Sequence, residues 1–304
     1  MEGARRLVPE LPEVETVRRS VEDHLAGLTV ASIDVRLPKI LRDSPLPDAG
    51  VFEGATVVGA RRRAKVLAID FSNDLSLMIH LKLAGQWAIL FPDGSRLVAG
   101  HPIPKPDGPY PHKSTHADIR FTDGTLVHYS DIRQFGWWRI VPSEDVEDVF
   151  SSFGFGPEGI GAPLDVADLS ARMGTRGIPI KTLLLNQSFI AGLGNIYVDE
   201  VLFRARVNPA TPAKDVSPRK RKAILEAVPW VLEQGLKQGG AKIVHNIAHP
   251  VDNFPAVHGR EGEPCFTCGT PIRKTRVGQR GTYYCPKCQR PVRKPANDTK
   301  PSSL

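Results

Sequence analysis

The residues with the clearest capacity for chemistry are four cysteines, all lying between positions 265 and 288. Cys265 and Cys268 form one Cys-x2-Cys knuckle, and Cys285 and Cys288 form a second one sixteen residues further on. Two thiolates on one tight turn supply half of a tetrahedral Zn2+ site, and two such knuckles complete it. A shell of four thiolates is closed, so this metal would hold shape and activate no water. Between the knuckles stand Arg273, Lys274, Arg276 and Arg280, four cations suited to a hairpin tip that meets a nucleic-acid backbone. A solvated hairpin face, or a ribbon that docks on protein, would use the same residues.

Two other stretches invite a chemical reading. Gly192-Leu193-Gly194-Asn195 leads into a helical run, and its glycines permit a sharp turn and close approach of a ligand. The free N–H groups of the following helix could gather an anion, with Lys181 and Asn195 joining them around one phosphate. A plain helix connection fits this stretch as well. Near the start, Pro9-Glu10-Leu11-Pro12-Glu13-Val14-Glu15 is rich in acids, which favour the first turn of a helix.

These groups need a scaffold, and 304 residues with 41% hydrophobic content suffice for two domains and a small third module. No apolar run nears the roughly 18 residues of a membrane span, so a soluble chain with no membrane partner is expected. The first residues lack the apolar core of a secretory signal, which points to the cytoplasm, at the bacterial nucleoid. Lys and Arg total 40 against 33 Asp and Glu, a balance that favours polyanions through counterion release.

The periodicity predicts a helix over 12–28, then β-rich runs at 29–36, 55–71, 76–91, 116–122, 125–130 and 135–141. Residues 100–111 hold five prolines and read as an exposed loop. Glycines over 151–163 mark a boundary, after which helices are expected at 165–173, 179–187 and 196–204. A long helix follows, opening at Ser217 as cap and Pro218 in the first turn. The fold class is α+β: a sandwich of strands, then helices, then the cysteine module.

Pro9-Glu10-Leu11-Pro12-Glu13-Val14-Glu15-Thr16-Val17-Arg18-Arg19 resembles the opening of the formamidopyrimidine-DNA glycosylase and endonuclease VIII family, closest to the first branch. The likeness continues in order through Arg62-Arg63-Ala64-Lys65, His80-Leu81-Lys82-Leu83-Ala84-Gly85 and Asp131-Ile132-Arg133-Gln134-Phe135-Gly136. It then runs through residues 181–200, His258-Gly259-Arg260-Glu261-Gly262-Glu263-Pro264-Cys265 and Gln279-Arg280-Gly281-Thr282.

The resemblance implies an N-terminal β-sandwich catalytic domain (9–150), a helix–two-turn–helix DNA-binding domain (164–255) and a zinc finger (256–290). Residues 291–304 are expected to be a disordered tail. It further implies a monomer that binds damaged double-stranded DNA, holds one structural Zn2+, flips out oxidised bases and cleaves the abasic strand. Pro9 corresponds to the nucleophile, Glu10 to the neighbouring acid/base, Lys65 to the lysine at the lesion, and Arg280 to the finger arginine on the phosphates. Leu83, Arg133 and Phe135 correspond to the trio that fills the hole left by the extruded base. Lys181 and Asn195 correspond to a phosphate clamp, and His116 to a DNA-contacting histidine, with Ser114 the competing alignment.

Two departures stand out. An internal Pro9 is a tertiary amide without a basic lone pair, so a working lyase needs Pro9 at the mature N-terminus. Val8 then reads as the translation start, removed after synthesis, and residues 1–7 as an artefact of gene calling. The stretch between Gly240 and Cys265 is short for the family's purine-capping loop, and Leu83 stands where methionine is common. Those features lean towards ring-opened or pyrimidine lesions, whereas the N-terminal motif favours purines. A catalytically inactive DNA-damage binder, an endonuclease VIII-like enzyme for oxidised pyrimidines and a zinc-ribbon protein adaptor are the alternative functions.

Overall fold

Val14, Val17, Val21 and Leu25 recur at helical spacing, and all four are buried. They line one face of α1 (Leu11–His24), whose first turn is closed by a capping box between Glu10 and Glu13. The computed structural model describes residues 9–239 and 253–291. Residues 1–8, most of the expected tail and the first half of the short 240–265 stretch (240–252) lie outside them.

After α1 come nine strands: β1 (Val30–Val35), β2 (Val57–Arg63), β3 (Val66–Phe71), β4 (Leu75–His80), β5 (Gly85–Leu90), β6 (Arg96–Gly100), β7 (Thr115–Phe121), β8 (Leu126–Asp131) and β9 (Trp137–Pro142). They form two antiparallel sheets, ordered β1-β7-β8-β5-β6 and β2-β3-β4-β9. Between the sheets and α1 lies a core that includes Phe52, Leu67, Leu77, Trp87, Ile119 and Trp138.

Two runs that read as single strands are each split by a turn. Ala64 takes φ 52° between β2 and β3, and Lys82 takes φ 48° between β4 and β5. Neither residue type announces a left-handed backbone, so the sequence pattern ran straight through both. Strand β6 was not expected either, because Arg-Leu-Val-Ala-Gly alternates weakly. The proline-rich stretch is less exposed than its composition suggested: His101, Pro102 and Pro104 are buried. Gln86 draws it inward, its Nε2 donating to the carbonyls of His101 and Pro104.

An unanticipated helix, α2 (Val146–Ser152), lays Val146 and Phe150 on the outer face of the second sheet against Val66, Ala68 and Met78. Beyond it lie α3 (Val166–Gly174), α4 (Ile180–Leu184), α5 (Asn195–Arg204) and α6 (Pro218–Lys237) around a second core. Helix α4 stops three residues short of the expected end. Pro218 does occupy the first turn of α6, but the Ser217 side chain makes no capping hydrogen bond. The ribbon β10 (Arg273–Val277) and β11 (Arg280–Tyr284) completes the chain and rests on α5. Among the described residues no helix is long and apolar enough to cross a membrane.

Candidate active site and nucleic-acid interface

Pro9 and Glu10 sit at the N-terminus of α1, where α1 meets α6 of the helical domain. Glu10 is 1% exposed, and its carboxylate accepts from Ile196 N at 2.9 Å and, weakly, from Tyr197 N at 3.5 Å. A side chain from the sandwich therefore caps α5. The α5 amides offered by the sequence to a phosphate are held instead by Glu10. The two glycines serve the same approach. A Cβ on Gly194 would stand 2.3 Å from the Glu10 carboxyl carbon, and one on Gly192 would stand 2.3 Å from Leu11 Cδ1.

Lys65, on the β2–β3 turn, donates from Nζ to the Leu193 carbonyl at 2.9 Å. Burial raises the pKa of Glu10 while the Lys65 charge pulls it down. Burial depresses Lys65 in turn, opposed by Glu10 and Glu13 and reinforced by Arg280. These mutual fields mark Glu10, Lys65 and Arg280 as one electrostatic unit beside Pro9. Arg280 itself is exposed, at the β10–β11 turn, where Gly278 and Gln279 take φ 55° and 63°.

Glu13, read in the sequence as a helix-favouring acid, is part of the same buried unit. Its Oε2 accepts from Glu10 N at 2.8 Å and its Oε1 from the Tyr197 hydroxyl at 2.8 Å. Burial, then the Glu10 charge, pushes its pKa up to about 7. A carboxyl raised in the folded state contributes stability that is full below its unfolded value and is lost as pH rises through about 7. Unfolding free energy should therefore fall by on the order of 3 kcal/mol between pH 4.5 and 7 on account of this group. Denaturant titrations across that range check it, with Glu13→Gln expected to flatten the slope.

Lys181 is engaged by groups of the protein itself. Its side chain is fully buried, with Nζ donating to Asp199 Oδ1 at 2.6 Å and to the Gly281 carbonyl at 3.0 Å. Asp199 Oδ2 also accepts from Tyr283 N at 3.1 Å and lies 2.8 Å from His258 Nδ1. The cluster ties α4 and α5 to the finger ribbon. Lys181→Met strands a buried carboxylate and should cost about 3–5 kcal/mol of stability, read by thermal or denaturant unfolding. Asn195 Nδ2 donates to the same Gly281 carbonyl at 2.9 Å, while its buried Oδ1 has no hydrogen-bond partner among the described residues.

The three plug residues lie on two neighbouring turns. Leu83 follows Lys82 between β4 and β5; Arg133 and Phe135 lie between β8 and β9. Register brings these turns together, since His80 pairs with Trp137 and Gly85 pairs with Asp131. Asp131 then stiffens the second turn by accepting from the amides of Arg133, Phe135 and Gly136. Phe135 is left 51% exposed, with the Arg133 guanidinium 5.5 Å from its ring centre. That is an unusual position for a large aromatic without a partner. His116 is 7% exposed, and its Nε2 contacts the Asp131 carbonyl at 2.8 Å. Placed in β7, it meets the base of this turn. Ser114 is buried as well, beside His112 Nδ1.

In the finger, the sulfurs of Cys265, Cys268, Cys285 and Cys288 all lie within 4.8 Å of one another, with separations of 3.5 Å for Cys268–Cys285 and Cys268–Cys288 and 4.0 Å for Cys265–Cys288. A tetrahedral zinc with bonds of about 2.3 Å needs sulfurs about 3.8 Å apart. The donor set fits, and this is a structural zinc site.

Three family descriptions cover most of the chain. They are the formamidopyrimidine-DNA glycosylase N-terminal domain over residues 8–138, its H2TH domain over 155–246, and the zinc finger found in FPG and IleRS over 262–291. A formamidopyrimidine-DNA glycosylase of Bacillus cereus is 36% identical over 93% of this chain and 99% of its own length. One from Streptococcus thermophilus is 36% identical over 93% and 100%. Lactococcus lactis Fpg in complex with DNA containing an abasic site superposes with a TM-score of 0.80 at 31% identity, covering 92% of this chain and 99% of that one. Sandwich, helical module and four-cysteine finger thus define a class, the three-part DNA glycosylases whose site lies where the parts meet. The chain belongs to the formamidopyrimidine-DNA glycosylase family.

Proposed function

We propose that this chain is a bifunctional base-excision enzyme, a glycosylase and abasic-site lyase that works through a Schiff base on Pro9. The observation that carries the reading is the electrostatic coupling of buried Glu10, next to Pro9 in the chain, with Lys65, and of Lys65 with the exposed Arg280. The lone pair of a free Pro9 nitrogen attacks C1′ of an extruded nucleotide, and the glycosidic bond breaks as the base leaves with a proton. A proton delivered to O4′ opens the sugar, and the nitrogen lone pair forms the iminium. Loss of a C2′ proton then expels the 3′ phosphate, and a second elimination expels the 5′ phosphate.

Glu10 is the group placed to shuttle protons at the sugar. Burial raises its affinity for a proton, the direction that suits a proton donor. Lys65 and Arg280 offset the charge of the phosphates as they depart. Leu83, Arg133 and Phe135 fill the gap in the stack, offsetting the few kcal/mol that flipping costs.

The chemistry requires the Pro9 nitrogen to be a secondary amine, which it is only in a chain that begins at Pro9. In support, the match to the family's N-terminal domain opens at residue 8. Relatives solved with FAPY-dG and with carbocyclic 8-oxo-G DNA make oxidised purines the first substrates to try.

The deciding experiment is borohydride reduction on an abasic-site duplex. The protein prepared to begin at Pro9 should couple covalently to the DNA; the full 304-residue chain should not. If neither couples, the lyase reading falls, and a chain that binds the duplex without coupling is a damage binder only. Base release from 8-oxoguanine, formamidopyrimidine and dihydrouracil duplexes then ranks the lesions.

A further inference from the structure

At the far end of α5 from Glu10, a cavity of about 350 Å³ opens between α5, the middle of α6 and the cysteine knuckles. Along α5, the cavity's Arg204 lies about 12 Å of helix beyond Ile196, where Glu10 binds, and its Glu200 about 6 Å. Four aromatic rings, Phe203, Trp230, Phe254 and Phe266, share its lining with polar residues. Trp230 and Phe266 remain 38% and 43% exposed, although each is large enough to be worth burying.

The charge at the cavity has one sign. Arg204 and Arg206 both line it, and the Arg204 guanidinium lies 3.6 Å from the centre of the Trp230 ring. Among the described residues, neither arginine makes an ion pair. Lys220 lies near enough to Arg206 to add to the same field. The one lining carboxylate, Glu200, is already committed to the amides of Ala256, Val257 and His258. Arg260, which stacks on Phe266 at 3.5 Å, is likewise spent on Glu263 and on the carbonyls of Ala256 and Pro264. Two unpaired guanidinium forks therefore accompany a set of exposed rings, the composition of an interaction hot spot.

We propose that this cavity docks an acidic segment of a partner protein. A large apolar side chain seats against Trp230 and Phe266, and carboxylates pair with Arg204 and Arg206. Stacking on Trp230 orients the Arg204 fork before binding, which suits a planar, bidentate carboxylate. Because the cavity opens at the far end of α5 from Glu10, the partner and DNA bind together.

The test uses the full chain and a fluorescein-labelled hexapeptide, Asp-Glu-Asp-Phe-Asp-Glu, followed by anisotropy with and without saturating undamaged duplex. Saturable binding is expected, unaffected by the duplex. It should weaken about tenfold or more, roughly 1.4 kcal/mol, in Arg204→Gln and in Arg206→Glu, and also when serine replaces the peptide's phenylalanine. Thermal unfolding and zinc content establish that the variants are folded, and Trp230→Phe offers a milder change at the same ring. Absence of saturation overturns the proposal, as does equal binding by both arginine variants or displacement by duplex. Competition by adenosine monophosphate below the peptide's own dissociation constant would reassign the cavity to a nucleotide. Self-association that tracks loss of peptide binding would reassign it to a second copy of the chain.

Discussion

Glu10→Gln should slow release of an oxidised base by roughly 10²–10⁴-fold, the range a positioned general acid/base contributes. The amide is the same size as the carboxyl, and its oxygen can still accept from Ile196 N. What disappears is the capacity to take up and return a proton. The buried site also loses one negative charge opposite Lys65, so the lysine, already depressed by burial, is depressed further. On a duplex that already contains an abasic site the base-release step is bypassed, and the loss should be smaller. Single-turnover kinetics on the two substrates measures the difference. Equal defects on both would place Glu10 in sugar chemistry alone, and no defect on either would remove it from the mechanism.

Removing the zinc should be nearly as damaging, through a different route. Metal binding to four-thiolate fingers contributes about 10–16 kcal/mol of folding free energy, far more than the small core around Val257, Ile272, Cys265 and Cys285 can replace. Cys285→Ser, or exhaustive chelation, frees the β10–β11 ribbon. Arg280 then leaves the site, and the Gly281 carbonyl no longer meets Lys181 and Asn195. Strand cleavage should fall to background. The salt dependence of duplex binding should lose about three to four units of slope, matching the ribbon's cations Arg273, Lys274, Arg276 and Arg280. Zinc returned to the chelated wild-type protein should restore both, and Cys285→Ser should stay impaired. Unchanged cleavage in a protein shown by mass to lack metal would refute the structural role.

Much of this was legible in the residues. The cysteine spacing alone gave the metal site, because thiolate coordination needs little beyond two tight turns. The period of Val14, Val17, Val21 and Leu25 gave α1 and its buried face. Motif likeness then supplied Pro9, Glu10, Lys65 and Arg280, which spacing could not have assembled from positions so far apart.

What escaped has a common physical origin. Lys181 and His116 are polar residues that the fold buries against partners of its own, and no pattern marks a lysine that faces Asp199. Glu13 was hidden by an ordinary explanation, since acids belong in the first turn of a helix. Its unusual state arises from Tyr197 and the Glu10 amide, neither of which marks it in the sequence. The turns at Ala64 and Lys82 were missed because left-handed backbone was carried by residues that seldom adopt it.

The cap that Glu10 places on α5 means that neither half of the molecule owns the reaction. A polypeptide ending before residue 195 would leave this acid without its amide donors, and the remainder would carry a helix with bare N–H groups and no proton carrier. Excision competence should therefore appear only once the halves dock.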